Sequence, residues 1–411
     1  MKAKKTPAPA SSDKALLSNT RPEIELLLCC ARAFVDDERA NRIRALAETR
    51  IDWEYLLRMA YRHSLMPLLH WQLDNICPEL VPDSHARLLR DHFHRNTARN
   101  LCLTAELCEV LKLFEAQGIP AVPYKGPALA LYVYGNLSLR RFSDLDVLVH
   151  QRDVFRAGEI LGSRNYRPEF QLSPAQKEAY LRSKNDYPLL NDDANILIEL
   201  HWNFVPAYLS LSLDPERLWK RLESTALNGM RISTFSPEDL LLLLCVHSTK
   251  HMWLRLGWLS DIAELINTYE DINWEMILRE ARASGTSRML FLGLFLTNRA
   301  LGVELPANLM RLILSDRSAV TLALQAEQMW FQEEDPRPGV LEMTRFYFKS
   351  IESFGDRVSY CLRLLLTPVP GDWSHVNLPD NLYIFYYLIR PYRLFIKYLL
   401  RPLARLIRPG T

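Results

Sequence analysis

Residues 119–150, IPAVPYKGPALALYVYGNLSLRRFSDLDVLVH, decide how the rest of the 411-residue chain is read. They crowd two apolar strand-like runs, a glycine turn, Lys125, Arg140, Arg141 and a pair of carboxylates into one short stretch. In Ser143-Asp144-Leu145-Asp146-Val147-Leu148-Val149 the aspartates stand two apart in a β-branched run, so on a strand both project from one face. Two carboxylates so placed suit a metal ion. Upstream, Lys125-Gly126 follows the run IPAVPY. A glycine there permits close backbone approach, a lysine can reach a phosphate, and a helix starting at Pro127 presents free N–H groups to an anion.

Outward from this stretch, residues 119–205 read as a small α+β unit. Short β-rich runs (IPAVPY, LDVLV, ILIEL) alternate with helical segments such as QRDVFRAGEILGS, and Asn191-Asp192-Asp193-Ala194 makes a turn between NDYPLL and NILIEL. The last of these runs ends in Ile198-Glu199-Leu200-His201-Trp202, which adds a third carboxylate. Residues 22–117 carry apolar positions at helical spacing, among them Leu103, Leu107, Val110 and Phe114, and predict four or five helices. From about 214 the pattern is helical again to about 365, with a break at 335–339 (DPRPG). The stretch SPEDLLLLLCVHSTKHMW opens with helix-start chemistry: Ser236 as N-cap, Pro237 in the first turn and Asp239 three residues on.

The segments 51–73 (IDWEYLLRMAYRHSLMPLLHWQL) and 272–294 (INWEMILREARASGTSRMLFLGL) align without gaps, with Asp52 and Asn273 as the expected N-caps. A common origin or packing role is one reading, and convergence of any capped amphipathic helix on this pattern is an equally open one. Both place helical scaffold on either side of the α+β core.

Composition bounds the function. Fifty Lys and Arg against forty-eight Asp and Glu leave a formal charge of +2, so no global charge argues for nucleic-acid binding. Seven cysteines without a C-x-x-C pair fit a reduced, cytosolic compartment. The start, MKAKKTPAPASSDK, has the charge of a signal peptide without its apolar segment and reads as a disordered tail over 1–20. No run of eighteen apolar residues predicts a membrane span. The end is a different material: after Asp380 no acid occurs, while Arg390, Arg393, Lys397, Arg401, Arg405 and Arg408 alternate with aromatic and aliphatic residues. Such a segment can lie in a membrane interface or pack on the body with its arginines reaching water. Prolines 391, 402 and 409 argue against one straight helix there.

The strand ending in Lys-Gly, the helix ending in Tyr-Gly, the arginine four residues before aspartate, S-D-L-D-V-L-V and the later I-E-L-H-W together resemble an uncharacterised nucleotidyltransferase family. That family lies in the polymerase-beta superfamily, and its genes often accompany bacterial polysaccharide biosynthesis. The likeness extends over roughly 20–300 as a pattern, including the helical region that ends in INWE. It implies an α+β fold, a small polymerase-beta-like sheet domain embedded between helical regions. The expected boundaries are a tail (1–20), an N-terminal helical region (21–110), the nucleotidyltransferase core (111–205), a C-terminal helical region (206–370) and a basic aromatic segment (371–411).

The resemblance also implies a reaction and a site. Asp144, Asp146 and Glu199 are the expected catalytic and metal-binding residues for Mg²⁺ or Mn²⁺, with an NTP as substrate. Glu199 either completes a second metal position or takes the proton of an acceptor hydroxyl. Lys125, Gly126 and Arg140 are the expected phosphate-binding residues. One departure stands out: Pro127 follows Gly126 where a serine or glycine is usual, and proline has no N–H to offer a phosphate.

His247 and His251, at i and i+4, suit either helix packing, zinc or the wall of a nucleotide cleft, although H-S-T-K-H lacks the glutamate of a metallopeptidase. His201-Trp202 reads first as a packing pair. Two competing functions remain: a glycosyltransferase using D-x-D on a nucleotide sugar, and a catalytically silent adaptor recruiting a membrane-associated assembly. The expected partners are an NTP, an unknown acceptor, and a membrane surface or protein met through 381–411. The expected location is the cytoplasm, at the inner face of the cell membrane if that segment docks. No specific nucleic acid is implied.

Overall fold

A computed structural model of the chain describes residues 21–400 except 210, 212, 335 and 377. The tail expected over 1–20 and the end of the basic segment, 401–411, lie outside the described residues.

Five helices come first: α1 (Pro22–Cys29), α2 (Asp37–Ala47), α3 (Trp53–Arg62), α4 (Met66–Ile76) and the 34-residue α5 (Asp83–Ala116). The mixed segment follows as β1 (Ala121–Pro123), α6 (Gly126–Tyr134), β2 (Asp144–Val149), α7 (Val154–Gly162), β3 (Arg167–Pro168), α8 (Pro174–Ser183), β4 (Asp186–Asn191) and β5 (Ile196–His201). After α9 (Pro215–Trp219) come β6 (Glu223–Leu227), β7 (Met230–Thr234), α10 (Pro237–Lys250), α11 (Gly257–Thr268), α12 (Trp274–Ser284) and α13 (Ser287–Leu301). The chain continues through α14 (Ala307–Ser315), α15 (Arg317–Trp330), α16 (Val340–Ser350), α17 (Phe354–Leu366), α18 (Pro370–Trp373) and α19 (Tyr386–Phe395). The fold is therefore α+β, a small mixed sheet set among helices.

The five strands run in the order β1-β2-β5-β4-β3. β1 is antiparallel to β2, β2 is parallel to β5, and β4 is antiparallel to both β5 and β3. Strand alternation then sorts side chains to two faces. Leu145, Val147, Val149, Ile196, Ile198 and Leu200 join the apolar side of α5 (Leu103, Leu107, Val110, Phe114) in one core. Val122, Tyr124 and Leu148 turn the other way, into the larger helical core that α1–α4 share with α10–α17.

The two similar segments fold alike. Asp52 accepts a hydrogen bond from the Tyr55 amide and Asn273 one from the Met276 amide, each at 3.0 Å, so each opens a capped helix. At aligned positions Ser64 (φ 62°) and Gly285 (φ 70°) both turn the chain left-handed between the first helix and the second. Ser236 likewise caps α10, accepting from the Asp239 amide at 3.2 Å.

One feature differs from the sequence reading. The region after 214 was expected to be helical throughout, yet β6 and β7 form a hairpin there. Its turn is Asn228-Gly229, both at positive φ (49° and 79°), the pairing that two-residue hairpins favour. In the basic segment α19 continues across Pro391 and passes into a π-helical turn, Ile396–Leu400, so the stretch is not one regular helix; Pro402 and Pro409 lie outside the described residues. The missing proline N–H is accommodated inside the helix rather than ending it.

Candidate active site

β1 delivers Tyr124, Lys125 and Gly126 to the edge of the helical core. Gly126 has φ +54°, and a Cβ there would stand 3.2 Å from the Asp144 carbonyl oxygen. The glycine thus lets the first turn of α6 sit against the start of β2. In that open turn the amides of Gly126 and Ala128 precede the first intrahelical donor, and Pro127 supplies none.

β2 is aimed by α5. Asn96 Nδ2 donates to the carbonyls of Ser138 (3.0 Å) and Arg140 (3.3 Å), and Asn100 Nδ2 to those of Leu137 (2.7 Å) and Arg140 (2.8 Å). These bonds hold the loop entering β2. The Arg140 side chain is fixed as firmly. Its Nε and Nη2 donate to Asp261 of α11 at 2.8 and 3.0 Å, and the Tyr134 hydroxyl donates to the same carboxylate at 2.8 Å. A planar guanidinium on a carboxylate is a two-point clamp. Burial works against the Arg140 charge, but Asp261 holds its proton more tightly than usual. Its Nη1 is buried and has no protein partner.

In the parallel pairing of β2 with β5, Asp146 is opposite Glu199 and Leu148 opposite His201. Residues more than fifty positions apart in the sequence become neighbours by this register. Lys125 Nζ donates to Asp146 Oδ1 at 2.6 Å, His201 Nε2 lies 3.0 Å from the same oxygen, and His201 Nε2 lies 3.3 Å from Glu199 Oε2. Burial opposes the Asp146 charge, yet Lys125 and His201 hold its carboxyl well below the usual carboxylate range. Burial likewise disfavours a charged His201, but its bonds to Asp146 and Glu199 raise it to about 9. At neutral pH it is an imidazolium. Asp144, half-buried and not in this knot, is pushed up by burial and by the Asp146 charge.

Among the described residues, the group of His, Cys, Asp or Glu placed to share an ion is Asp146, Glu199 and His201, whose ligand atoms lie within 4.8 Å of one another. The two carboxylates suit a small, hard divalent cation, and the His201 ring could join them only in its neutral form. Among the described residues, His247 and His251 have no third His, Cys, Asp or Glu placed to share an ion with them.

A cleft of about 520 Å³ opens beside these groups. Lys125, Gly126, Arg140, Arg141, Asp144 and Asp146 line one side, and the end of α10 and start of α11 line the other with His247, Lys250, His251, Arg255 and Trp258. The rings of His247 and His251 are 4.8 Å apart, and Trp258 lies 5.3 Å from His251. Burial lowers the Lys250 ammonium.

Five of the six residues picked from sequence therefore meet in one cleft, and Glu199 adjoins it through Asp146. His201, read first as a packing residue, is bonded into the carboxylate knot, while Trp202 is indeed a packing residue, donating to the Leu181 carbonyl at 3.2 Å. Sequence reasoning missed Asp261, Asn96 and Asn100. Each interrupts an apolar helical face with a polar residue, and that interruption was the available signal.

No curated protein matches the chain. One solved structure, an antigenic nucleotidyltransferase-like protein from Paracoccidioides brasiliensis, resembles it at 16% identity and a TM-score of 0.31, covering 52% of this chain and 96% of that one. A likeness so distant carries no argument about the site. The family model described as uncharacterised nucleotidyltransferase matches residues 49–302, a span that contains every residue of the cleft walls named above. The chain belongs to this uncharacterised nucleotidyltransferase family.

Proposed function

We propose that the protein is a metal-dependent nucleotidyltransferase that moves a nucleoside monophosphate from an NTP to an acceptor hydroxyl or phosphate. The observation that carries this reading is the β2–β5 register, which sets Asp146 beside Glu199 at the edge of a cation-lined cleft. Asp144, Asp146 and Glu199 are the residues we assign to Mg²⁺ or Mn²⁺, with His201 orienting the carboxylates of Asp146 and Glu199 by hydrogen bonds. When bound, the ion supplies neutralisation of phosphate charge.

The chain's own residues do the rest. The amides at the start of α6 and the partnerless Nη1 of Arg140 bind phosphate oxygens, and the Asp261 clamp keeps the guanidinium in place. Lys125 holds Asp146 ionised and places a positive charge beside the phosphates. As the alternative to its metal role, Glu199 accepts the proton of the acceptor hydroxyl. The acceptor oxygen bonds to the α-phosphorus, the bond from that phosphorus to the bridging oxygen breaks, and pyrophosphate carries off the electron pair. We place this reaction in the cytoplasm and, from the family resemblance, in polysaccharide assembly.

The test is incubation of the protein with each α-labelled NTP, Mg²⁺ and a cell extract, followed by identification of the labelled species. Label that appears with the native protein and is lost in Asp146→Asn supports the reading. Native protein that transfers no label from any NTP overturns it in favour of a silent adaptor.

A further inference from the structure

The C-terminal helices are amphipathic in the wrong sense for water. In α19 the arginines point inward: Arg390 Nη1 lies 3.4 Å and Arg393 Nε 2.6 Å from the carboxylate of Asp372, which is fully buried. Arg390 also donates to the Leu364 carbonyl of α17 at 3.0 Å. The residues left outside are apolar. Leu388 is 68% exposed, Tyr392 67% and Phe395 50%, at the spacing of one helical face. The neighbouring α17 repeats the pattern, with Phe354 77% exposed and Val358 and Leu362 following at four-residue steps.

We infer that this outward face of α17 and α19 docks on an anionic lipid surface. Exposed large apolar side chains grouped along one helix face mark an interaction surface. Charge selects the partner. Arg390 and Arg393 pair with Asp372 and the exposed Lys397 follows Phe395; after Asp380 the sequence holds no acid and has three further arginines, at 401, 405 and 408. An acid-free, basic sequence of this kind repels a second copy of itself and is attracted by anionic headgroups. The mix of Leu, Phe and Tyr suits the boundary between acyl chains and headgroups. No helix among the described residues is long and apolar enough to cross a membrane, so the face lies on the bilayer. The inference goes beyond the proposed reaction and does not rest on it.

The test is flotation of the full chain with vesicles of phosphatidylcholine alone and of phosphatidylcholine with phosphatidylglycerol. Binding is expected on the anionic vesicles, weaker on the neutral ones and reduced by salt. The double variant Leu388→Glu, Tyr392→Glu alters only exposed positions, keeps its thermal unfolding transition, and is expected to lower vesicle partition at least about tenfold. Failure to float with anionic vesicles overturns the proposal, as does undiminished binding of the variant. A concentration-dependent dimer in light scattering that the variant dissolves, without vesicle binding, assigns the face to a second copy instead.

Discussion

The two faces of the five-stranded sheet have opposite chemistry although they are built from the same strands. One face, with Leu145, Val147, Ile198 and Leu200, is closed by α5 around apolar side chains. The other, with Asp144, Asp146, Glu199 and His201, carries a knot of ionised groups at the edge of a cleft. Single positions along β2 thus alternate between fold and site. A substitution at one residue of β2 is expected to cost stability, and at the next to cost turnover.

The largest effect is expected on the polar face. Asp146→Asn should lower nucleotidyl transfer about 10³-fold or more, about 4 kcal/mol in the barrier, in a protein that still unfolds cooperatively. Wild-type turnover in this variant would break the division between the faces. One position earlier, Leu145→Ala removes a fully buried side chain. Chemical denaturation should show a loss of about 3 kcal/mol, with turnover per folded molecule kept within a few-fold.

Metal addition sharpens the contrast further. Mn²⁺ at about one hundred times its dissociation constant should stabilise the native protein by about 2.7 kcal/mol in thermal unfolding, and should do nothing for Asp146→Asn. Stabilisation that survives the substitution would move the metal elsewhere. The smallest effect is expected for Asp144→Asn in a chelator. Burial and the Asp146 charge raise the Asp144 pKa, so its ionisation works against folding. Removing that charge should raise stability by a few tenths of a kcal/mol at neutral pH. The sign follows from linkage: the gain vanishes as pH falls through the Asp144 pKa, where the native side chain is neutral as well.

The same contrast explains what could be read without coordinates. Alternation in SDLDVLV is a local property of β2, and so is the glycine after IPAVPY that brings α6 against it. The hairpin at Asn228-Gly229 was equally local, but its turn signal lay inside a region taken as helical. Asp261 and Asn100 were not legible. Their value lies in what they touch, Arg140 and the loop before β2, and those contacts span 121 and 40 positions of sequence.

His201 shows the limit most clearly. Next to Trp202 it looks like part of a packing pair, and only the register of β5 on β2 brings its ring to Asp146. The basic C-terminal segment makes the same point in reverse. Its composition indicates cations for a surface, yet two of the arginines pair internally with Asp372 while Leu388, Tyr392 and Phe395 face out.

By itself the sequence determined the elements whose signals repeat every two or three to four residues: the strand with its paired aspartates, the glycine turn, the capped helices on either side and hence the α+β class. Tertiary structure alone decided the charge state and company of the site. Coulomb and hydrogen-bond energies depend on distance in space, and burial strengthens them. The sequence records neither the parallel register that joins Asp146 to Glu199 and His201 nor the helix packing that locks Arg140 onto Asp261.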